Sequence, residues 1–168
     1  MDEKFEIIYK DNYNSLRNAV ENIISDKDAS HDVVQEIFLK LWKKKNELDF
    51  ILDPKAYLFK AAINASISYL ETHKNRVRLS DIRMESSENT DSLLKLKELE
   101  VKIQIALDNL PPKCKAIFVL SRYEEMKYTQ IAEYLNLSVK TVENQMGIAI
   151  KRMREELKAY LPQTFLRF

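Results

Sequence analysis

Apolar residues recur at helical spacing through most of the chain, and polar breaks cut the pattern into separate helices. Phe5, Ile8, Tyr9, Tyr13, Leu16, Ala19, Val20 and Ile23 share one face of a first helix running from Phe5 to about Ser25. The polar break SDKDAS follows, in which Asp28 or Ser30 is a candidate cap for a helix from about His31 to Lys45. Val34, Ile37, Phe38 and Leu41 form the inward stripe of that second helix. Asp53-Pro54 is a start signal, a capping carboxylate followed by proline in the first turn, where its missing N–H costs nothing. The helix it opens extends to about Lys74 through Tyr57, Leu58, Ala61, Ala62, Ala65 and Tyr69. From Asn75 to Asp91 apolar periodicity fails, and this polar stretch, rich in Ser and Glu, reads as a flexible linker. Helical spacing returns over Leu93–Leu107, breaks at Asp108-Asn109-Leu110-Pro111-Pro112, and resumes over Lys113–Tyr123. The pattern predicts an all-α chain of two small helical domains, residues 1–76 and 92–168, joined by a polar linker over 77–91.

The segment Tyr128–Arg154, YTQIAEYLNLSVKTVENQMGIAIKRMR, predicts a helix-turn-helix. Ile131, Ala132 and Leu135 form the apolar face of a short helix, and Val139, Val142, Met146 and Ile150 that of a longer one. Ala132 is small where two steeply crossed helices meet. Asn136 stands where the turn needs a left-handed backbone, which Asn tolerates better than most residues. Ser138 can cap the second helix. An ordinary helical hairpin with a solvated face would share this pattern. The second helix also carries Lys140, Thr141, Glu143, Asn144, Lys151, Arg152 and Arg154 on faces that its core contacts do not need.

Composition narrows the choice. One glycine and four prolines in 168 residues fit an all-helical chain. The apolar runs are too short for a bilayer, and the acidic, amphipathic start MDEKFEIIYKDNY is unlike a signal peptide, so no membrane insertion is expected. Cys114 is the only cysteine, which excludes an internal disulfide, fits a reducing cytoplasm and reads as a buried, inert thiol. His31 and His73 lie in different elements, with no metal-spaced cluster and no phosphate loop; neither an enzyme nor a cofactor is expected. Net charge is only +1, but its distribution is uneven. Residues 51–80 carry five Lys or Arg against two acids and residues 101–168 eleven against seven, whereas 1–50 and 81–100 are acidic on balance. Two basic blocks can each meet a phosphate backbone locally.

The two halves together resemble bacterial RNA polymerase sigma factors of the extracytoplasmic-function group, within the sigma-70 family. ASHDVVQEIFLKLWKK (Ala29 to Lys44) and DPKAYLFKAAINASISYL (Asp53 to Leu70) are similar to sigma region 2, and LDNLPPKCKAIFVLSRYEEMKYTQIAEYLNLSVKTVENQMGIAIKRMR is similar to region 4. A helix-turn-helix alone is shared by many regulators; both blocks in this order are far more specific. A helix-turn-helix regulator working apart from the polymerase would leave Ala29–Lys44 unexplained except as core. A helical protein-binding adaptor would leave the groove-facing residues without a role.

The resemblance implies a set of sites. The outside of the His31–Lys45 helix would bind the clamp helices of the largest polymerase subunit through Asp32, Gln35, Glu36, Leu39 and Trp42, and the C-terminal domain would meet the flap region. For Trp42, the only tryptophan, a core role competes with an interface role. Minus-10 contacts fall to Phe50, Lys55, Lys60, Asn64, Lys74, Arg76 and Arg78, with Asn64 at a flipped base and the cations on phosphates. Tyr57 and Phe59 are aromatic candidates for stacking, at least one of them expected in the core. Minus-35 contacts fall to Arg122, Lys127, Lys140, Thr141, Glu143, Asn144, Gly147, Lys151 and Arg152; Asn can pair with adenine and Glu can accept from cytosine. Gly147, unfavourable in mid-helix by about 1 kcal/mol, fits either a close approach to DNA or tight packing on a neighbouring helix. Core polymerase, promoter DNA and an anti-sigma factor are the implied partners. The chain departs from the family pattern in three places. Ser68, Glu71, Thr72, His73 and Lys74 replace an Asp and several Arg after Asn64; Lys127 and Gln130 replace a Ser or Thr cap and its Glu partner; Asn136 replaces a turn glycine.

Overall fold

The computed structural model describes residues 3–73 and 91–160. Its elements are α1 (Glu3–Ile24), α2 (Lys27–Lys43), a 3-10 turn (Lys45–Phe50), α3 (Pro54–His73), α4 (Asp91–Asp108), α5 (Pro112–Arg122), α6 (Tyr128–Leu135) and α7 (Val139–Leu157). No strand occurs among the described residues. The linker expected over 77–91 lies outside them apart from Asp91, with which α4 begins.

Local chemistry sets the helix boundaries. Helix α2 starts a turn earlier than the apolar pattern suggests, because Asp26 rather than Asp28 or Ser30 is its cap. Asp26 has extended backbone, and its carboxylate accepts the Ala29 N–H at 3.0 Å. Ser30 is buried one turn inside the helix, its hydroxyl donating back to the Asp26 carbonyl. Asp53 caps α3 as expected, accepting from the Ala56 N–H at 2.9 Å. Helix α7 ends at Leu157.

Helices α1, α2 and α3 enclose one core in which Leu16, Val20, Val34, Phe38, Leu41 and Leu58 are buried. The aromatic rings of Phe5, Tyr9 and Tyr13 close it on one side by packing around Phe38. Helices α4 to α7 form the second half, with Leu107, Cys114, Ala149 and Met153 buried between α4, α5 and α7.

The two halves are packed together. Ile23 of α1 and Ile63 and Ile67 of α3 share a buried cluster with Ile117 and Leu120 of α5, Ile131 of α6 and Met146 of α7. In return, Met126 and Tyr134 lean on the core of the first half. Burying an isoleucine side chain is worth roughly 1.5–3 kcal/mol, so three of them make a cohesive seam. At one end of it Lys115 of α5 reaches Ser25, the residue after α1, while Asn22 donates to Glu124 at 3.0 Å.

Candidate nucleic-acid interface

The helix-turn-helix is built by local signals that satisfy the backbone groups at each helix end. Asn136 adopts φ 54°, ψ 48°, and Leu137 N–H reaches back to the Ala132 carbonyl at 2.8 Å, which ends α6. Ser138 then accepts the Thr141 N–H at 3.0 Å and starts α7. Before α6 only half of a reciprocal box forms. The Lys127 N–H donates to Gln130 Oε1 at 3.1 Å, and a lysine side chain has no acceptor to complete the exchange.

Helix α7 buries Val142, Met146, Ala149 and Met153 and turns the opposite side outward. Lys140, Glu143, Asn144, Gly147 and Lys151 are exposed and recur at spacings of three and four residues, one continuous stripe. Thr141 and Arg152 lie about a quarter-turn from it at 3.6 residues per turn. Thr141 is also engaged locally, its hydroxyl 2.8 Å from that of Ser138. Arg122 and Lys127 are exposed on the flanking segments. A Cβ added to Gly147 would meet nothing within 4 Å. Tight packing on a neighbouring helix therefore does not explain this glycine. It sits on a shallow depression with Lys151, Arg154 and Lys158, and the stripe thus extends past the expected residues to the end of α7.

The first half offers a different surface. The 3-10 turn is held by Leu48, 1% exposed, while Phe50 at 83% and Leu52 at 101% project outward. Phe50, Ile51 and Tyr57 line a hollow with Lys44 and Glu47. Of the two aromatic candidates on α3, Phe59 is buried and Tyr57 faces the hollow. The run Lys43-Lys44-Lys45 was readable as a basic cluster, but the 3-10 turn that brings Lys44 beside Phe50 carries no periodic signal. Asn64 is exposed one turn beyond Lys60 and donates to its carbonyl at 2.8 Å, which leaves the amide oxygen to face a ligand. Lys55 and Lys60 are exposed, and Lys55 Nζ lies 5.9 Å from the Phe59 ring. Lys74, Arg76 and Arg78 lie outside the described residues. His73 is half-buried and stacked on Tyr69, with ring centroids 4.1 Å apart.

A third surface runs along α2. Asp32, Gln35, Glu36 and Leu39 are exposed at helical spacing. Gln35 bonds His31 at 2.9 Å, His31 bonds the Tyr13 hydroxyl at 2.9 Å, and Glu36 pairs with Lys40 at 2.8 Å. Trp42 is partly packed in the core and partly open to solvent. It meets Phe5 edge to face at 4.9 Å and stays half-exposed beneath the Lys45 ammonium at 4.6 Å.

Burial dominates the shifted titrations. The Cys114 thiol is pushed up by its apolar surroundings and bonds the Gln145 carbonyl, as an inert core cysteine does. The Tyr134 phenol is raised by burial first, then by the Asp53 and Glu133 carboxylates. Since Asp53 caps α3, this puts the first helix of the helix-turn-helix beside the loop that carries Phe50 and Leu52. Among the described residues no cluster of His, Cys, Asp or Glu could hold a metal, and no helix is long and apolar enough to cross a membrane.

The fold and these surfaces define a helical, two-part nucleic-acid-binding protein with a helix-turn-helix in its second half. Family comparison makes this specific: residues 8–76 match sigma-70 region 2, and residues 100–153 match sigma-70 region 4. The RNA polymerase sigma factor SigV of Bacillus subtilis is 29% identical over 140 residues, covering 80% of this chain and 79% of that protein. The ECF RNA polymerase sigma-E factor of Haemophilus influenzae is 26% identical over 166 residues, 92% of this chain and 87% of that protein. Among solved structures, the sigma factor RpoE of Bartonella quintana, in complex with the anti-sigma factor NepR, superposes with a TM-score of 0.66 at 18% identity. The match covers 95% of this chain and 99% of that one. The chain belongs to the sigma-70 family, in its extracytoplasmic-function group.

Proposed function

We propose that this sigma factor joins core RNA polymerase through the outer face of α2, melts the minus-10 element with the Phe50–Leu52 loop and α3, and reads the minus-35 element with α7. The observation that carries this reading is the presence, in one chain, of a region 2 whose loop exposes apolar side chains and a region 4 whose capped recognition helix exposes a polar stripe. On this reading residues 1–76 and 92–168 are the two working domains and 77–91 their connection.

Each surface has a physical rationale. Asp32, Gln35, Glu36 and Leu39 mix charge, amide and apolar area as a partly polar protein interface does, with Trp42 as its anchor. These residues meet the clamp helices of the largest subunit, and region 4 meets the flap. Opening a duplex exposes bases whose stacking is lost, and an aromatic side chain recovers about 1–3 kcal/mol per base. Phe50 and Tyr57 offer such faces, Asn64 offers hydrogen bonds to an extruded base, and Lys55 and Lys60 attract the flanking phosphates. Lys74, Arg76 and Arg78 would add to that attraction. On α7, Glu143 and Asn144 have the chemistry to read cytosine and adenine edges. Arg122, Lys127, Lys140, Lys151 and Arg152 supply phosphate contacts, and Gly147 lets the helix backbone come near the DNA. The protein works in the cytoplasm, performs no catalysis itself, and is held in check by an anti-sigma factor.

The packed halves add a constraint. Elements centred at minus 10 and minus 35 are about 25 base pairs apart, roughly 85 Å of B-form duplex at ~3.4 Å per pair. A compact chain of this length is only about 40 Å across. On this reading the halves separate before both elements are engaged.

Reconstitution with core polymerase on a promoter fragment, with permanganate reactivity as the measure of melting, tests the whole. Duplex binding without association with core polymerase would favour a helix-turn-helix regulator instead. Within that assay Asn64→Ala is expected to reduce melting more than initial duplex binding; equal losses would remove Asn64 from the flipped base.

A further inference from the structure

Among the described residues Lys115 is the one charged side chain that is buried. Its side chain is 2% exposed, where lysines almost never lie unless paired. Its ammonium donates to Asp108 Oδ1 at 2.8 Å and to Ser25 Oγ at 2.9 Å. Gln104 donates to both of the same acceptors, at 3.0 and 2.7 Å. Asp108, Gln104 and Lys115 belong to the second half and Ser25 to the first, so the cluster spans the polar end of the seam.

The surrounding elements make the arrangement conditional. Helix α1 has no basic residue in its last turn, and Ser25 directly after it is held at φ 63°. Lys115 thus supplies, from the other half, the cation that the negative end of α1 favours. Asp108 is the last residue of α4, an unfavourable place for a carboxylate without a partner. Each charge is tolerated where it is because the other is present.

We propose that Asp108 is the control point of a clasp between the two halves: by neutralising Lys115 it lets that side chain lie buried against Ser25, and its loss drives the halves apart. Removing one member of a buried pair leaves an uncompensated charge, whereas replacing the buried group by an apolar side chain of similar volume is often neutral or stabilising. Beyond this polar end the seam is apolar, with Ile23, Ile117 and Leu120 buried in its shared cluster. Opening hydrates the ammonium at once, at the cost of exposing the isoleucines of the seam. The clasp therefore sets how often the free protein samples the separated form. This does not depend on which partner the separated form then binds.

Small-angle scattering on the full chain, with helicity followed by circular dichroism, tests the proposal. A compact chain of this size has a radius of gyration of about 15 Å. Asp108→Ala is expected to raise the measured radius by on the order of 5 Å with helicity retained, the ratio of open to closed forms rising on the order of a hundredfold to a thousandfold. Adding Lys115→Met to Asp108→Ala should restore the wild-type radius, because no buried charge remains to be hydrated. Ser25→Gly, which suits the left-handed backbone but removes the hydroxyl on the other side, should give a smaller expansion. A helical Asp108→Ala protein with unchanged radius would overturn the clasp, as would a double variant that stays fully expanded. If Asp108→Ala loses its helicity, Ser25→Gly decides, and an unchanged radius there is equally fatal. Polymerase association enters none of these measurements, so failure of the clasp is separable from failure of the functional reading.

Discussion

Helix α7 and the loop over residues 45–53 are the two surfaces proposed to meet DNA, yet they are built on opposite plans. The reading stripe of α7 rides on a helix with a hydrogen-bonded start at Ser138 and a fully packed back at Val142, Met146, Ala149 and Met153. The stripe residues Lys140, Glu143, Asn144, Gly147 and Lys151 are polar or small, at ease in water before any DNA arrives. The loop hangs on the single buried side chain of Leu48 and exposes Phe50 and Leu52 almost completely. A groove reader benefits from rigidity, since its hydrogen bonds must match base edges held in a regular duplex. A melting loop recovers its exposed apolar surface only when bases have left the stack. Under the proposed function, the two surfaces divide duplex recognition from strand opening.

Three variants break or sharpen that contrast. The largest effect is expected at Leu48. Leu48→Ala should cost about 2–5 kcal/mol of stability, as for a leucine truncated in a packed core, and should nearly abolish melting. A minus-35 duplex should still bind under conditions where the variant remains folded. Thermal unfolding together with permanganate footprinting measures both, and equal losses of melting and minus-35 binding would erase the distinction between the surfaces. Next comes the paired change Phe50→Ala with Leu52→Ala. Both side chains are exposed, so stability should move by no more than about 0.5 kcal/mol per site. Melting should nonetheless fall on the order of tenfold to a hundredfold, matching about 1–3 kcal/mol for a lost stacking partner. A large fall in melting temperature with unaffected promoter opening would make these residues structural.

The same contrast explains what was legible in the sequence. The turn at Asn136 and the cap at Ser138 are local signals of one or two residues each, and both hold in the fold. Asp53-Pro54 is equally local and also holds. The start of α2 misleads because Asp26, Asp28 and Ser30 are all capping residues within five positions, while the apolar stripe begins only at Val34. The pattern cannot say which of them turns its side chain onto the free amides. The 3-10 turn leaves no period to read, since Leu48 is its only buried residue. The seam was hidden for a different reason. Ile63 and Ile67 extend the apolar band of α3, and nothing in a band reveals that it serves two cores. Lys115 looks like any solvated lysine until its distant neighbours are known.

Gly147 gives the smallest effect and the sharpest reading of α7. In mid-helix a glycine is less favourable than alanine by about 0.8–1.0 kcal/mol, and here a Cβ would meet no atom within 4 Å. Gly147→Ala should therefore stabilise the protein by up to about 1 kcal/mol, raising the melting temperature by a few degrees. The same methyl would stand on the exposed stripe between Asn144 and Lys151, where the helix backbone would approach the major groove. Affinity for minus-35 duplex should accordingly fall severalfold even as stability rises, a pairing that ordinary helix repair cannot produce. Differential scanning calorimetry and fluorescence anisotropy on a minus-35 fragment provide the two readings. A stabilised variant that binds as tightly as the wild type would show that the backbone stays clear of the DNA at this point. The groove would then be read by the longer side chains of Lys140, Glu143 and Asn144 alone.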